Sequence, residues 1–391
     1  MQRLITCLLI LGFVLPSLCV RLIAATQDTV YNVMDYGACG DGKSDDSKAF
    51  LSAWQHTCGT QGTPTLVIPQ GRTFMVSNIK FNGTCMATSI HIQLQGKIIA
   101  PEKNAWVGDN SGWIFISHIN NLVIDGTGGL IDGCGSTWWA CRTCPRPTVI
   151  SFESCKDLSV SHLSITNSPK AHIHINNCVG ATFSDINIHA PGNSPNTDGI
   201  NIASSNNIFI EDSIIASGDD CIAIIGDSSY INISGIACGP GHGISIGSLG
   251  RGNAHNTVEE VYVHNCSFTK TSNGARIKTW SGGSGYAKRI TFEDITLIEV
   301  RNPIIIDQSY RGRLSTGVVE VSEVTCRRFQ GTSADSNAII LNCDPSIGCS
   351  NIVLDHVDIS SCQQSKPACC FCHNAHGAAI SSSPNCSCLS N

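Results

Sequence analysis

Seven segments of the chain share one pattern: a few positions of apolar and polar alternation, a turn rich in Asn, Asp, Ser or Gly, then a restart on Ile or Val. They are ATFSDINIHA (181–190), NIFIEDSIIAS (207–217), YINISGIAC (230–238), VEEVYVHNCSF (258–268), AKRITFEDITL (287–297), GVVEVSEVTC (317–326) and SNIVLDHVDIS (350–360). Alternation with a period of two marks a strand with one covered face. The anchors Ile208, Ile231, Val261, Ile290, Val319 and Ile352 recur at intervals of roughly 23 to 33 residues, the range of solenoid repeats. No amphipathic helix of ordinary length fits between these strands, which argues against a βαβ sheet. Hairpin signals such as Asn-Gly are sparse, which argues against a sandwich. The pattern predicts an all-β, right-handed parallel β-helix, each coil laid about 4.8 Å from the one before. Residues one period apart then become neighbours.

The open ends of such a coil need covers. In SDDSKAFLSAWQHTC (44–58), Ser44 and Asp45 are capping residues, and Ala49, Phe50, Ala53 and Trp54 fall at helical spacing. A short amphipathic helix over the N-terminal end is expected there. The Cys-rich stretch 362–391 reads as a disulfide-stapled tail over the other end. No linker or low-complexity tract divides the chain, so 26–391 reads as one domain.

Residues 1–25 read as a secretory signal peptide: Arg3, an apolar run from Leu4 to Val20, then small residues at Ala24 and Ala25. A membrane anchor is disfavoured because Arg21 interrupts a run already near the short limit for a span. Twenty-two cysteines agree with an oxidising, extracellular compartment. Cleavage near Ala25 would remove Cys7 and Cys19 and leave an even set to pair. Cys141/Cys144 and Cys370/Cys372 have metal-like spacing, but no ordered Cys/His partner set accompanies them, so no metal is expected. Sequons at Asn82, Asn232, Asn265 and Asn385 are glycosylation candidates.

Formal charge is −6 with only 14% charged residues, which argues against nucleic acid or an anionic membrane as partner. A monomer is the default reading. The few charges therefore stand out where they cluster. SGDDC (217–221) holds Asp219 and Asp220. Counted through Asp219, Asp198 of NTDG (196–199) lies about 21 residues upstream and His242 of GHG (241–243) about 23 downstream, each close to one coil. Stacking brings three carboxylates and a histidine to one face.

That set suits glycosidic hydrolysis, in which one carboxylic acid protonates the leaving oxygen and another carboxylate activates water or attacks. Crowded like charges raise at least one carboxyl's pKa, which keeps a proton available at mildly acidic pH. Arg276 and Lys278 flank Ile277 and point to the same side of a strand, an arrangement suited to a substrate that itself carries carboxylates.

NTDG, GDDC, GHGISIGS (241–248), RIK (276–278) and the Tyr of DQSY (307–310) in this order resemble the signature of polygalacturonases, the pectin-degrading enzymes of glycoside hydrolase family 28. The resemblance runs from YNVMDYGACGDGKSDDSKAF (31–50) to the Cys-rich tail. It implies cofactor-free, inverting hydrolysis of α-1,4-galacturonan. Asp219 would be the general acid, Asp198 and Asp220 would hold and activate water, and His242 would support the acid. Arg276, Lys278 and Tyr310, with Asn196 of the NTDG motif, would bind galacturonate. It also implies a Cys221–Cys238 disulfide bracing the site. Arg311 stands where many plant-like relatives have Cys. Three alternatives share the fold: a Ca²⁺-assisted pectate lyase, a rhamnogalacturonan hydrolase, and an inactive pectin-binding protein. The intact RIK and the complete acid set argue against them. Whether cleavage is internal or terminal depends on loops that the sequence does not resolve.

Overall fold

The structure, a computed structural model, describes residues 29–310, 317–363 and 366–389. The expected leader, with Cys7 and Cys19, and Arg311 lie outside the described residues. Among the described residues the chain winds as a right-handed parallel β-helix. Eleven strands form one sheet and twenty-one the other, and each coil contributes to both.

The eleven-strand sheet positions the functional residues. Its central strands are Thr148–Glu153, Ile173–Asn176, Ile200–Ala203, Ile222–Ile224, Ile244–Leu249, Asn273–Thr279 and Asn302–Asp307. Their register stacks Ile150, Ile173, Ile200, Ile222, Ile244, Ala275 and Ile304 in one column. Two residues on, Phe152, Ile175, Ile202, Ile224, Ile246, Ile277 and Ile306 form a second. All are buried. Each such side chain contributes roughly 1.5–3 kcal/mol, so the interior columns hold the coil together and leave the alternate, outward positions to chemistry.

The polar turns between strands have a backbone reason. His162, Asp185, Asp212 and Gly235 each follow a strand residue of one register column, Ser161, Ser184, Glu211 and Ser234. All four have φ between 45° and 66°. Asn, Asp and Gly enter this left-handed region with the least strain, which explains their recurrence at coil corners.

Three expectations need correction. In the second sheet Ile290 pairs with Val324, not Val319, and Val324 with Ile352. The intervening coil is longer, and Val319 is buried elsewhere. The N-terminal helix spans Ser47–Gly59 and buries Ala49, Phe50, Ala53 and Trp54 as anticipated, but Asp46 is its N-cap. Ser44 and Asp45 lie in the strand Asp41–Asp45, and Asp45 reaches forward to accept the Ser47 backbone N–H at 3.0 Å. Finally, the cysteines do not all pair. Cys39, Cys134, Cys155, Cys178, Cys266, Cys326, Cys362 and Cys369 are free, and Cys155, Cys178, Cys266 and Cys326 are buried as small apolar fillers of the interior.

The C-terminal stretch is more than a cover. Cys369–His373 and Ala375–Ser383 add the last strand to each sheet, tied down by Cys370–Cys386 and Cys372–Cys388 disulfides. Cys141 is bonded to Cys144. Cys141, Cys144, Cys370 and Cys372, whose spacing resembled a metal site, are thus held in disulfides.

Candidate active site

Asp198, Asp220 and His242 stand two residues before Ile200, Ile222 and Ile244, which are consecutive partners in one register column. They occupy the same turn of three successive coils. Asp219 is one residue earlier, so the adjacent pair divides: Asp220, not Asp219, continues the stack of Asp198 and His242. Small residues allow the turn to close. A Cβ on Gly218 would lie 1.9 Å from the Ser194 carbonyl oxygen, and one on Gly243, at φ +84°, 2.2 Å from the Asn273 carbonyl oxygen.

The two acids have different surroundings. The Asp220 side chain is only 3% exposed, and it accepts hydrogen bonds from Lys278 Nζ at 2.6 Å, Ser245 Oγ at 2.9 Å and the Arg276 guanidinium. Arg276 Nε also donates to Ser245 Oγ at 2.8 Å, which fixes the fork. Asp219 is 21% exposed and lies 2.8 Å from Nδ1 of His242, itself 39% exposed. Asn196 Nδ2 donates to the other Asp219 oxygen at 3.2 Å. The floor of the site is thus a closed ion cluster, and its open rim is Asp219 with His242.

Protonation follows from these contacts. Burial raises the Asp198 carboxyl well above the usual carboxylate range, and the charges of Asp219 and Asp220 add to it. Burial also pushes Asp219 up, but the His242 hydrogen bond and charge, with Lys278 and Arg276, outweigh it and leave Asp219 below the usual range. Of these two carboxyls, Asp198 is the one whose surroundings favour the protonated form.

Tyr310 stands beside these cations. Lys278 Nζ is 5.5 Å from its ring centre, and the Trp280 ring meets it edge-on at 6.0 Å. The structure therefore gathers Asn196, Asp198, Asp219, Asp220, His242, Arg276, Lys278 and Tyr310 on one face. Cys221, next to Asp220, is bonded to Cys238 with Cα atoms 6.0 Å apart, tying the acid turn to the following coil. Donor atoms of Asp219, Asp220 and His242 lie within 4.8 Å of one another, but Lys278 and Arg276 already neutralise Asp220, so a divalent cation would meet their repulsion.

Two supporting residues escaped the sequence reading. Arg146, 5% exposed, donates from Nη2 to Asn196 Oδ1 at 2.7 Å and from Nη1 to the carbonyls of Pro195 at 2.6 Å and Pro169 at 3.2 Å. His172, fully buried, places Nδ1 2.9 Å from the Asp198 carbonyl oxygen. Arg146 sits in a Pro-flanked loop and His172 in an ordinary-looking strand entry, and neither belongs to a motif. A buried partner for the Asn196 carbonyl was the only signal to look for.

Comparison with known proteins places this geometry. Residues 58–387 match the family described as Glycosyl hydrolases family 28, a span that contains every residue of the site. The chain belongs to that family. Family-28 relatives include a probable polygalacturonase of Arabidopsis thaliana, 47% identical over 93% of this chain and 81% of its own. A polygalacturonase of Solanum lycopersicum is 37% identical over 89% and 78%. Among solved structures, the polygalacturonase from Erwinia carotovora superposes with a TM-score of 0.72 at 22% identity, covering 86% of this chain and 94% of that one. An endo-xylogalacturonan hydrolase from Aspergillus tubingensis gives 0.70 at 23%, covering 85% and 91%. These structures share the β-helix. As a member of family 28, the chain is a glycoside hydrolase.

Proposed function

We propose that this hydrolase is a secreted polygalacturonase acting on the galacturonan of pectin in the cell wall, by an inverting, cofactor-free mechanism. The observation that carries the reading is the partition of the acids: a half-buried Asp219 bonded to His242 above a buried Asp220 locked to Arg276 and Lys278. Polygalacturonases among the relatives, with 36–47% identity in plants, support the substrate.

In this mechanism Asp219, at the rim beside His242, protonates the leaving glycosidic oxygen, while Asp198 and Asp220 hold and activate the attacking water. Asp219, held toward its carboxylate form in the free site, must gain a proton first. A uronate carboxylate entering beside Arg276 and Lys278 weakens their pull on Asp219, and Asp219 gains proton affinity as a result. His242 supports the acid through Nδ1. Arg276, Lys278 and Tyr310 orient the galacturonate, with Asn196 holding Asp219 in place. Inversion needs room for a water between the two faces of the sugar, roughly 6.5–9.5 Å between carboxyls, so the side chains must open the coil step of about 4.8 Å.

The test is incubation of the secreted protein and Asp219→Asn with de-esterified polygalacturonate in EDTA, following reducing ends, absorbance near 235 nm and viscosity. Reducing ends without new absorbance, absent in the variant, carry the reading. Absorbance abolished by EDTA would replace it with a lyase, and no product from folded wild type with a binding reading. Proton NMR of the first product's anomer decides inversion, and the viscosity curve separates internal from terminal attack.

A further inference from the structure

The outward face of the twenty-one-strand sheet carries an aromatic patch remote in chemistry from the acid cluster. Phe209, Tyr230 and Tyr262 are 40%, 60% and 36% exposed, a costly placement unless something covers the rings. Register puts Phe209, Asn232 and Tyr262 directly opposite one another in three successive coils, and Tyr230, a left-handed residue at φ 55° that steps out of the register, lines the same groove. Asn232 thus stands in the middle of the rings, and it begins the sequon Asn232-Ile233-Ser234. The same residues, with Asn207, Thr291 and the Arg289–Glu260 ion pair at one side, line an open groove of about 360 Å³, room for a sugar ring.

The other sequons lack this setting. Asn82 accepts from Ser117 Oγ at 2.8 Å and pairs across the sheet with that serine. Asn265 lines a charged groove with Asp294 and Arg328, and Asn385 adjoins disulfide-bonded Cys386.

We infer that Asn232 carries an N-linked glycan whose first N-acetylglucosamine packs its C–H face on Phe209 and Tyr230, with Tyr262 closing the third side. The covalent step joins the Asn232 amide nitrogen to the anomeric carbon of a lipid-pyrophosphate-linked oligosaccharide. The amide gives up one proton and the lipid pyrophosphate leaves. The inference rests on the secretory part of the proposed function, not on the galacturonan chemistry. Coverage by the sugar removes apolar ring surface from water, and the tether makes that contact intramolecular.

The experiment uses the full chain secreted from plant cells, with activity on polygalacturonate assayed separately so that loss of the enzymatic reading is scored apart from this one. Glycopeptide mass spectrometry should find Asn232 occupied; an unoccupied Asn232 in secreted protein, or a chain retained in the cytosol, overturns the inference. Trimming to a single N-acetylglucosamine should leave Tm unchanged, whereas complete removal, or Asn232→Gln, should lower it by roughly 2 °C. In Phe209→Ala/Tyr230→Ala the glycan should make no difference to Tm. An equal drop in that variant overturns the cradle. So does binding of trigalacturonate to Asn232→Gln that is lost when the two rings are removed, which would assign the patch to polysaccharide.

Discussion

Lys278 donates to Asp220 at 2.6 Å across two coils of the helix, and Arg276 joins it on the same carboxylate. Asp219, the preceding residue along the chain, has neither contact. The two neighbours should therefore fail differently. Asp220→Asn leaves two buried cations without a counter-charge and should cost about 3–5 kcal/mol of stability as well as activity. Asp219→Asn should reduce kcat by at least ~10²-fold with a stability change under about 1 kcal/mol. Denaturant titration of both variants beside their kinetics checks the contrast, and equal destabilisation would count against the partition.

His242 supplies the strongest pull holding the proton off Asp219. Its loss in His242→Gln should raise the Asp219 carboxyl. If Asp219 is the donor it must be protonated to work, so the alkaline limb of the kcat/KM profile should move to higher pH. A move of the acid limb instead would make Asp219 the base. The pH–rate profiles of wild type and variant on one defined oligogalacturonate decide between them.

Arg146 reaches Asp219 through a single side chain, Asn196. Lysine keeps the charge but cannot reproduce the guanidinium fork that serves Asn196, Pro195 and Pro169 together. Arg146→Lys should lower kcat about 10-fold or more while KM changes little, because a misplaced acid harms the reacting geometry more than ground-state binding. A KM effect with kcat intact would place Arg146 in substrate binding instead.

His172 is neutral in the fold: burial lowers its pKa to about 4, against a partial offset from the Asp198 carbonyl. The unfolded chain takes up that proton near pH 6.5, whereas the native state does so only near 4. Its contribution is present above about pH 6.5 and is lost as pH falls toward 4, on the order of 3 kcal/mol in all. His172→Asn should flatten the stability curve over that window in urea titrations, whatever it does to the stability at pH 7.

The sequence by itself determined the period of the coil, the interior columns of Ile and Val, the helical face of Ala49, Phe50, Ala53 and Trp54, and the set of residues that meet on one face. Those properties are local: alternation says which side a residue takes, and a motif keeps its own turn. What only the tertiary structure decided lies between coils. Coils differ in length, so counting residues assigned Val319 to a column that Val324 occupies and ran the acid stack through Asp219, where Asp220 continues it. The register separates a buried Asp220 neutralised by Arg276 and Lys278 from a half-buried Asp219 held by His242 and Asn196. Arg146 shows the same limit, since its partner lies 50 residues away and only the winding of the chain brings the two to 2.7 Å.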